Sequence, residues 1–134
     1  MKHVFVDTNI FIYASGDSHP HKEPSHRLLE KVAVNQIEAV SNTEVLQEIL
    51  YRYWAIKEKE RGSYILERIV RIVPLILPVN KKDVIRAKGL LEKYPQIEPR
   101  DAIHAATMLE RDIKSICSYD RHFDQIREIK RIEP

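Results

Sequence analysis

The chain alternates between short apolar runs and longer segments in which apolar residues recur at helical spacing. The short runs are typical of buried strands and lie at 3–6, 37–40, 75–79, 115–118 and 126–132. The longer segments place apolar residues three or four positions apart, as in Ile65, Ile69 and Val73. Alternation of this kind predicts an α/β fold with a parallel or mostly parallel sheet covered by helices.

Capping and helix-breaking residues set the expected bounds of the helices. Asn42 or Thr43 can cap the helix that follows the second strand. A later helix is expected to start after Gly62 and to stop at Pro74, because proline cannot continue a helix. Further helices are predicted at 10–14, from 24 or 25 to 32, at 83–94 and at 100–113, and a turn-rich loop at 15–24.

Composition fits one ordered domain spanning residues 1–134. The chain is 43% apolar and 31% charged and has only three glycines, which excludes a disordered or fibrous protein. The lone cysteine, Cys117, excludes an intramolecular disulfide framework and fits a reducing compartment. We find no signal peptide and no apolar run of membrane-spanning length, so a cytoplasmic location without membrane attachment is expected. The net charge of +2 does not by itself indicate nucleic-acid binding.

Four acids stand at the starts or ends of predicted elements. Asp7 follows the first strand, Glu48 lies at the edge of a helical apolar stripe, Asp101 is in the first turn of a helix, and Asp120 follows the strand at 115–118. Ligands of open parallel sheets gather at the carboxyl ends of the strands. Four carboxylates meeting there repel each other, so the arrangement is best explained by a hard cation bound among them.

Each acid alone also has an ordinary structural explanation. Asp7 can cap a short helix, and Asp101 follows Pro99 where the helix dipole favours a negative charge. Glu48 can pair with Arg52 one turn later, which contributes only about 0.2–0.5 kcal/mol. Asp120 can anchor a turn. Taken together, these explanations require four coincidences at one edge of the sheet.

Four motifs extend from Val4 to the final strand and together resemble those of the PIN-domain nucleases. They are Asp7-Thr8-Asn9, the segment 41–48 that ends in Glu48, Asp101-Ala102-Ile103-His104-Ala105-Ala106, and Ser118-Tyr119-Asp120-Arg121-His122-Phe123. The similarity is greatest to the single-domain, VapC-type toxins of toxin–antitoxin pairs. It implies a single PIN-like domain: a three-layer α/β/α sandwich with a five-stranded, mostly parallel sheet. It also implies a metal-dependent endoribonuclease whose products carry a 5′-phosphate and a 3′-hydroxyl.

The resemblance and the chemistry assign roles to these residues. Oxygen ligands select Mg²⁺ or Mn²⁺ over zinc, and one ion or two are compatible with the motifs. Asp7 and Asp101 are the expected principal ligands, and Glu48 and Asp120 complete the set or assist deprotonation of water. Hydrogen bonds to the carboxylates or to phosphate are expected from Thr8, Asn9 and Ser118.

Several positions depart from the family pattern or compete for a role. His122 stands where many members have a carboxylate or an amide, which makes Asp124 a substitute ligand ranked below Asp120. Glu44 lies one turn before Glu48 and competes with it for the same role. We prefer Glu48 as the site residue because Glu48 lies nearer the apolar stripe of the helix. His104, on the same side of its helix as Asp101, is interpreted as a packed or hydrogen-bonded histidine.

The expected partners follow from the resemblance. It implies an RNA substrate, a cognate antitoxin that covers the acidic cleft, and a homodimer. Candidate contact residues for the protein partners are Tyr53, Trp54, Tyr64 and Ile65. Two alternatives stay open: a PIN-like binding module whose acids are structural, and an RNA-processing nuclease that has no antitoxin.

Overall fold

The computed structural model describes residues 3–134, in which a five-stranded sheet is surrounded by six helices. The strands are β1 (His3–Val6), β2 (Glu38–Asn42), β3 (Leu75–Leu77), β4 (Ser115–Cys117) and β5 (Lys130–Ile132). The helices are α1 (Thr8–Ser15), α2 (Lys22–Ala33), α3 (Thr43–Ala55), α4 (Lys59–Ile72), α5 (Lys81–Lys93) and α6 (Pro99–Leu109). A short 3₁₀ helix, Arg121–Gln125, lies between β4 and β5. No helix within residues 3–134 is long and apolar enough to cross a membrane.

The strand order is β3-β2-β1-β4-β5, and all four neighbouring pairs are parallel. In the centre, Phe5 of β1 pairs with Val40 of β2 and with Ile116 of β4. The chain builds outward from β1 to β3 and then returns to the opposite side of β1. The order therefore reverses beside β1, and such a reversal opens a crevice beyond the carboxyl ends of β1 and β4.

Both faces of the sheet are covered. Phe5 and Val6 are fully buried, as are Ala39 and Val40 in the neighbouring strand. Because consecutive strand residues point to opposite faces, burial of both members of each pair requires packing on both sides. This gives the three layers of the predicted α/β/α sandwich, and it confirms the predicted fold with a sheet that is parallel throughout.

Local signals explain where several helices begin. Asn42 caps α3, with its Oδ1 accepting a hydrogen bond from the backbone N of Val45 at 3.0 Å. Asn80 and Asp83 form a reciprocal capping box at the start of α5. Pro99 occupies the first turn of α6, where its missing N–H costs nothing.

The boundary predicted at Gly62 is wrong, because α4 begins three residues earlier and includes this glycine. A Cβ at Gly62 would lie 2.6 Å from Cβ of Tyr53 on α3. The glycine therefore permits two helices to approach closely instead of ending one of them.

Other boundaries also differ from the prediction. β3 ends at Leu77, directly before Pro78, which has no N–H for the ladder. The run predicted as a strand at 126–132 forms a strand only at Lys130–Ile132, although Ile126 and Ile129 are buried. The loop expected at 15–24 is shorter, since α2 begins at Lys22.

Candidate active site

A cavity of about 250 Å³ lies at the carboxyl edge of the sheet, where the strand order reverses. Its lining residues are Asp7, Thr8, Asn9, Ile12, Glu48, Arg52, Arg100, Asp101 and Asp120. All four acids singled out from the sequence therefore line one space. They arrive there from the end of β1, from α3, from the start of α6 and from the segment after β4.

Asp7 is buried and held by three donors. Its Oδ1 accepts a hydrogen bond from the backbone N of Thr8 at 2.8 Å, so the residue caps α1. Its Oδ2 accepts hydrogen bonds from the Ser118 hydroxyl at 2.6 Å and from Asn9 Nδ2 at 3.3 Å. The side chain therefore has a fixed direction at the end of β1.

Ser118 and Asn9 connect the ends of β1 and β4. Ser118 Oγ accepts hydrogen bonds from Asn9 Nδ2 at 3.2 Å and from the backbone N of Asp120 at 3.0 Å. The backbone N of Tyr119 donates to Asn9 Oδ1 at 3.4 Å. These bonds fix the position of Asp120 relative to Asp7.

Asp101 and Asp120 lie together on the other side of the cavity. Asp101 Oδ2 accepts a hydrogen bond from the backbone N of Glu98 at 3.4 Å, and Asp120 Oδ1 accepts one from the backbone N of His122 at 2.9 Å. The His122 ring Nδ1 lies 4.0 Å from Asp101 Oδ2 and 3.3 Å from Asp120 Oδ1. One atom from each of these three side chains falls within 4.8 Å of the others, which is close enough to share a metal ion.

Glu48 contacts a buried histidine of α6. His104 Nε2 lies 2.7 Å from Glu48 Oε1, while Asp7 Oδ1 is 3.7 Å from the same nitrogen. On the other side of the ring, Asn42 Nδ2 lies 3.1 Å from Nδ1. His104 thus joins the cap of α3 to two of the acids.

Burial and mutual repulsion raise the pKa of two of the acids. The pKa of Asp7 is raised chiefly by burial, although His104 and the Ser118 hydrogen bond offset part of the effect. Burial, together with the charges of Asp120 and Asp7, raises the pKa of Asp101 to about 7. Raised pKa values of two acids in one cavity reflect an accumulation of negative charge that a bound cation would relieve.

The pKa of Glu48 moves in the opposite direction. Burial would raise it, but the hydrogen bond and charge of His104 outweigh burial and hold it below its ordinary value. Burial would likewise lower the pKa of His104, and the acids Glu48 and Asp7 raise it instead. On the other side of the ring, the Asn42 amide can donate to Nδ1 only when that nitrogen carries a lone pair.

The donor set of the cavity fits a hard divalent cation. Four carboxylates supply oxygen ligands of the kind that Mg²⁺ and Mn²⁺ prefer. Thr8 Oγ1 is buried beside the acids and forms no hydrogen bond of good geometry within residues 3–134, although it lies near enough to Glu48 to help lower the pKa of that carboxyl. A small rotation of the hydroxyl would let it donate to Glu48 or to a ligand in the cavity.

Two arginines flank the acids. Arg52 and Arg100 line the cavity and are exposed, and neither forms an ion pair with an acid in the part of the chain that the structure describes. Arg100 also borders a neighbouring cavity of about 550 Å³. Arg52 borders another of about 350 Å³, so each arginine is shared between the acid-lined cavity and one neighbouring cavity.

Two competing acids lie elsewhere. Asp124 is half-exposed and accepts hydrogen bonds from Arg131, with Nε at 2.9 Å from Oδ1 and Nη2 at 3.3 Å from Oδ2. It is not part of the cavity lining, so we do not include it among the proposed ligands. Glu44 lines the neighbouring 550 Å³ cavity, whereas Glu48 lines both.

Four residues near the acids had no predicted role in the site. These are His104, His122, Arg52 and Arg100. His122 and His104 stand within the recognised motifs, so their positions carried a signal. The arginines looked like ordinary surface charge, because nothing local distinguishes them from the other basic residues on helices.

The sequence matches the family model described as the PIN domain over residues 4–129. It is similar along nearly its full length to ribonuclease VapC13 of Mycobacterium tuberculosis, with 41% identity over 129 residues, 96% of this chain and 98% of the relative. Ribonuclease VapC23 of the same organism is 33% identical over 117 residues, covering 87% of this chain and 92% of the relative.

Solved structures share the fold. The M. tuberculosis toxin VapC20, described as cleaving the sarcin–ricin loop, superposes with a TM-score of 0.80 at 16% identity over 98% of this chain and 99% of that one. VapBC2 of Rickettsia felis, solved with a DNA fragment of its promoter, gives a TM-score of 0.75 at 20% identity over 98% of each chain. At these identities the similarity concerns the fold alone.

Proposed function

The chain belongs to the PIN-domain family, and we propose that its acid-lined cavity holds Mg²⁺ or Mn²⁺ for the hydrolysis of RNA. Its relatives over nearly the full length are VapC ribonucleases, which makes it an endoribonuclease, the toxin of a toxin–antitoxin pair. Nucleases of this family depend on a divalent metal ion. The observation that carries the proposal for the site is the convergence of four acids on one cavity.

We assign the roles by position. Asp7 and Asp101 would be the principal ligands, with Asp120 and Glu48 completing the set. A bound divalent cation supplies Lewis-acid activation of the phosphodiester and of the attacking water. Asn9 and Ser118 hold Asp7 and the start of the Asp120 segment in place, and Thr8 offers its hydroxyl to whatever occupies the cavity.

Arg52 and Arg100 would bind the phosphates on either side of the cut. A polyanionic strand is repelled by a cluster of carboxylates, so binding needs cations next to the acids. Each arginine lines both the acid-lined cavity and one neighbouring cavity, and we propose this row of cavities as the groove along which a strand would lie. Single-stranded RNA fits such a groove better than a duplex, since its backbone can bend into the site.

The partner surface we propose for the antitoxin is the apolar part of the 550 Å³ cavity, next to the acids. Its exposed members are Leu50, Tyr51 and Trp54 of α3. Of the residues expected from the sequence to contact partners, Tyr64 is exposed as well. Tyr53 and Ile65 are buried in the core, so the prediction that they contact a partner is wrong. We also propose a homodimer and a cytoplasmic location, where RNA is available and Cys117 stays reduced.

The test is cleavage of a structured RNA by the purified chain with Mg²⁺, with Mn²⁺ and with a chelator. Asp7→Asn and Asp101→Asn should each lower the rate by at least about 100-fold while remaining folded, because each removes a metal ligand. Asp112→Asn is the matched control, since its side chain is 87% exposed and lies outside the cavity. Products with a 5′-phosphate and 3′-hydroxyl are expected. Equal rates in all variants would refute the assignment.

A pull-down separates a toxin from a stand-alone nuclease. Co-expression with the product of a neighbouring small gene should yield a complex that no longer cuts RNA. Trp54→Ala should weaken that complex without changing the rate of the free chain, because Trp54 does not line the acid cavity. An active nuclease that inhibits no growth and is bound by no such product would favour RNA processing.

A further inference from the structure

The Asn42 side chain has both its oxygen and its two amide hydrogens accounted for. Its Oδ1 accepts a hydrogen bond from the backbone N of Val45 at 3.0 Å, and a backbone N can only donate. The other end of the amide is therefore Nδ2, which lies 3.1 Å from Thr107 Oγ1 and 3.1 Å from His104 Nδ1. The orientation of this buried amide is thus fixed by the cap of α3.

The hydrogen bonds of Thr107 leave only one possible arrangement of the protons on Asn42 and His104. Its hydroxyl donates to the backbone O of Ile103, so its oxygen accepts one hydrogen from Asn42. The second Asn42 hydrogen then points at His104 Nδ1, which must carry a lone pair. The ring proton is consequently on Nε2, which lies 2.7 Å from Glu48 Oε1.

We propose that His104 is a positioning residue for Glu48, oriented by Asn42 so that its Nε2–H donates to Oε1 of that carboxylate. The inference rests on the proposed function of the site, because it concerns one of the proposed ligands. His104 is not a ligand in this account, since its Nε2 is used by Glu48 and its Nδ1 by Asn42.

Glu48 needs such a partner more than Asp7 does. Asp7 has three donors, whereas the Glu48 carboxylate has His104 Nε2 as its donor at hydrogen-bonding geometry within residues 3–134. The Thr8 hydroxyl is near enough to help lower the pKa of Glu48, but it does not form a hydrogen bond of good geometry. A glutamate also has one more rotatable bond than an aspartate. Fixing Oε1 spares the ion the entropy cost of ordering a mobile ligand.

A role in packing alone explains less. The His104 ring is buried and lies 5.3 Å from the Phe5 ring, so an apolar side chain could fill that space. Instead, position 104 carries a histidine whose two ring nitrogens both form hydrogen bonds, one with Asn42 at the cap of α3 and one with Glu48 in the cavity. Outer hydrogen-bond partners of this kind commonly change metal affinity or activity about 10–100-fold when they are removed.

The first test is the tautomer of His104 in the metal-free protein, read from long-range ¹H–¹⁵N spectra at neutral pH. The signal is assigned by its loss in His104→Gln. A proton on Nε2 and none on Nδ1 is the expected result. A proton on Nδ1, whether the ring is neutral or cationic, would overturn the arrangement imposed by Asn42.

The second test compares two amides of matched polarity by Mn²⁺ affinity. The amide of His104→Gln reaches the place of Nε2 and can still donate to Glu48, whereas that of His104→Asn reaches only the place of Nδ1. We expect about a 10–100-fold loss of affinity in His104→Asn and recovery of most of it in His104→Gln. His26→Asn, at a partly exposed helix position outside the cavity, is the control and should leave Mn²⁺ affinity unchanged. Equal losses in the two variants would overturn the proposal.

A double-mutant cycle then asks whether His104 acts through Glu48. The double variant, which carries both Glu48→Gln and His104→Asn, should have the same Mn²⁺ affinity and the same single-turnover rate as Glu48→Gln alone. Losses that multiply would contradict the proposal. The spectra and the Mn²⁺ affinities use no RNA, so a chain that cuts no RNA would refute the proposed function and still leave this inference to be decided.

Discussion

Ser118 Oγ lies 2.6 Å from Asp7 Oδ2, although 111 residues separate the two in the sequence. The bond closes the gap between the ends of β1 and β4, where the strand order reverses. It holds a buried carboxylate whose ionisation is already opposed by its surroundings. The geometry of the cavity therefore depends on a hydroxyl that is not itself one of the proposed metal ligands.

Ser118→Ala should cost about 1.5–3 kcal/mol of unfolding free energy, because it removes a donor to a buried carboxylate. It should also weaken Mn²⁺ binding, since Asp7 becomes less fixed. Ser41→Ala is the control: Ser41 is equally buried in β2 and donates to the backbone O of Val6 at 2.9 Å. That variant should cost about 0.5–1.5 kcal/mol and leave Mn²⁺ affinity unchanged. If Ser118→Ala and Ser41→Ala changed the Mn²⁺ affinity equally, the proposed role of Ser118 in holding Asp7 would be contradicted.

A metal ion should stabilise the folded chain. Binding to the folded state alone contributes about 2.7 kcal/mol when the ion concentration is 100 times its dissociation constant. We expect Mn²⁺ to raise the midpoint of urea unfolding of the parent chain but not that of Asp101→Asn. The same rise in both proteins would place the ion outside this cavity.

The metal-free chain should lose stability as pH rises through the range set by Asp101. Its pKa is about 7 in the folded state and 3.8 as an ordinary carboxyl, so the folded state holds the proton over an interval in which the unfolded state has lost it. The free energy of unfolding therefore falls between about pH 4 and pH 7.

Asp101→Asn should reduce this dependence, because an amide does not titrate, and should leave the part that comes from the raised pKa of Asp7. With a chelator present, the variant should be more stable than the parent at pH 8, and the difference should shrink at pH 4.5. With Mn²⁺ at pH 8, the parent should instead be more stable than the variant, because the variant lacks one of the proposed metal ligands. Urea unfolding at pH 4.5 and pH 8 gives the free energies of unfolding of the parent and the variant. A difference between them that does not change with pH would contradict the raised pKa of Asp101.

Gly62 and Gly89 should respond oppositely to alanine. In α4, a Cβ at Gly62 would lie 2.6 Å from Cβ of Tyr53, so Gly62→Ala should cost about 1–3 kcal/mol through overpacking. In α5, no atom lies within 4 Å of the same position at Gly89. Gly89→Ala should therefore gain about 0.5–1 kcal/mol from helix propensity. Urea unfolding of both variants checks the close approach of α3 and α4.

Arg52→Gln and Arg100→Gln should weaken RNA binding while leaving Mn²⁺ affinity unchanged. Loss of one phosphate contact is expected to cost about tenfold in KM and to lower the salt dependence of binding by about 0.7 in log–log slope. Arg71→Gln, an exposed position outside the cavity, is the control. A fall in kcat at constant KM would contradict the proposed phosphate contact.

The sequence could locate three of the acids because each also has a local structural task. Asp7 caps α1, Asp101 accepts a hydrogen bond from the backbone N of Glu98 in the first turn of α6, and Asp120 anchors the 3₁₀ helix. Capping and metal binding are therefore not alternatives here. The cap fixes the carboxylate that the cavity then uses, so a local signal leads to the site.

Other features depend on contacts between distant segments and have no local signal. His104 meets Asn42 across 62 positions and Glu48 across 56, and only the folded chain reveals that its two nitrogens are both engaged. Gly62 resembles a helix boundary in the sequence, because the neighbour that requires a glycine, Tyr53, lies on another helix. Helix and strand periodicity predicted the layers, but not these pairings.

If the metal ion bound by the four acids drives cleavage, metal occupancy and RNA cleavage must rise together in one titration. Bound Mn²⁺ is followed by electron paramagnetic resonance while single-turnover cleavage is recorded at each concentration. Both curves should have the same midpoint in the parent chain, and Asp101→Asn should shift both to higher Mn²⁺ together. Cleavage that persists with the site empty, or a midpoint that Asp101→Asn leaves unchanged, would contradict this role of the metal ion.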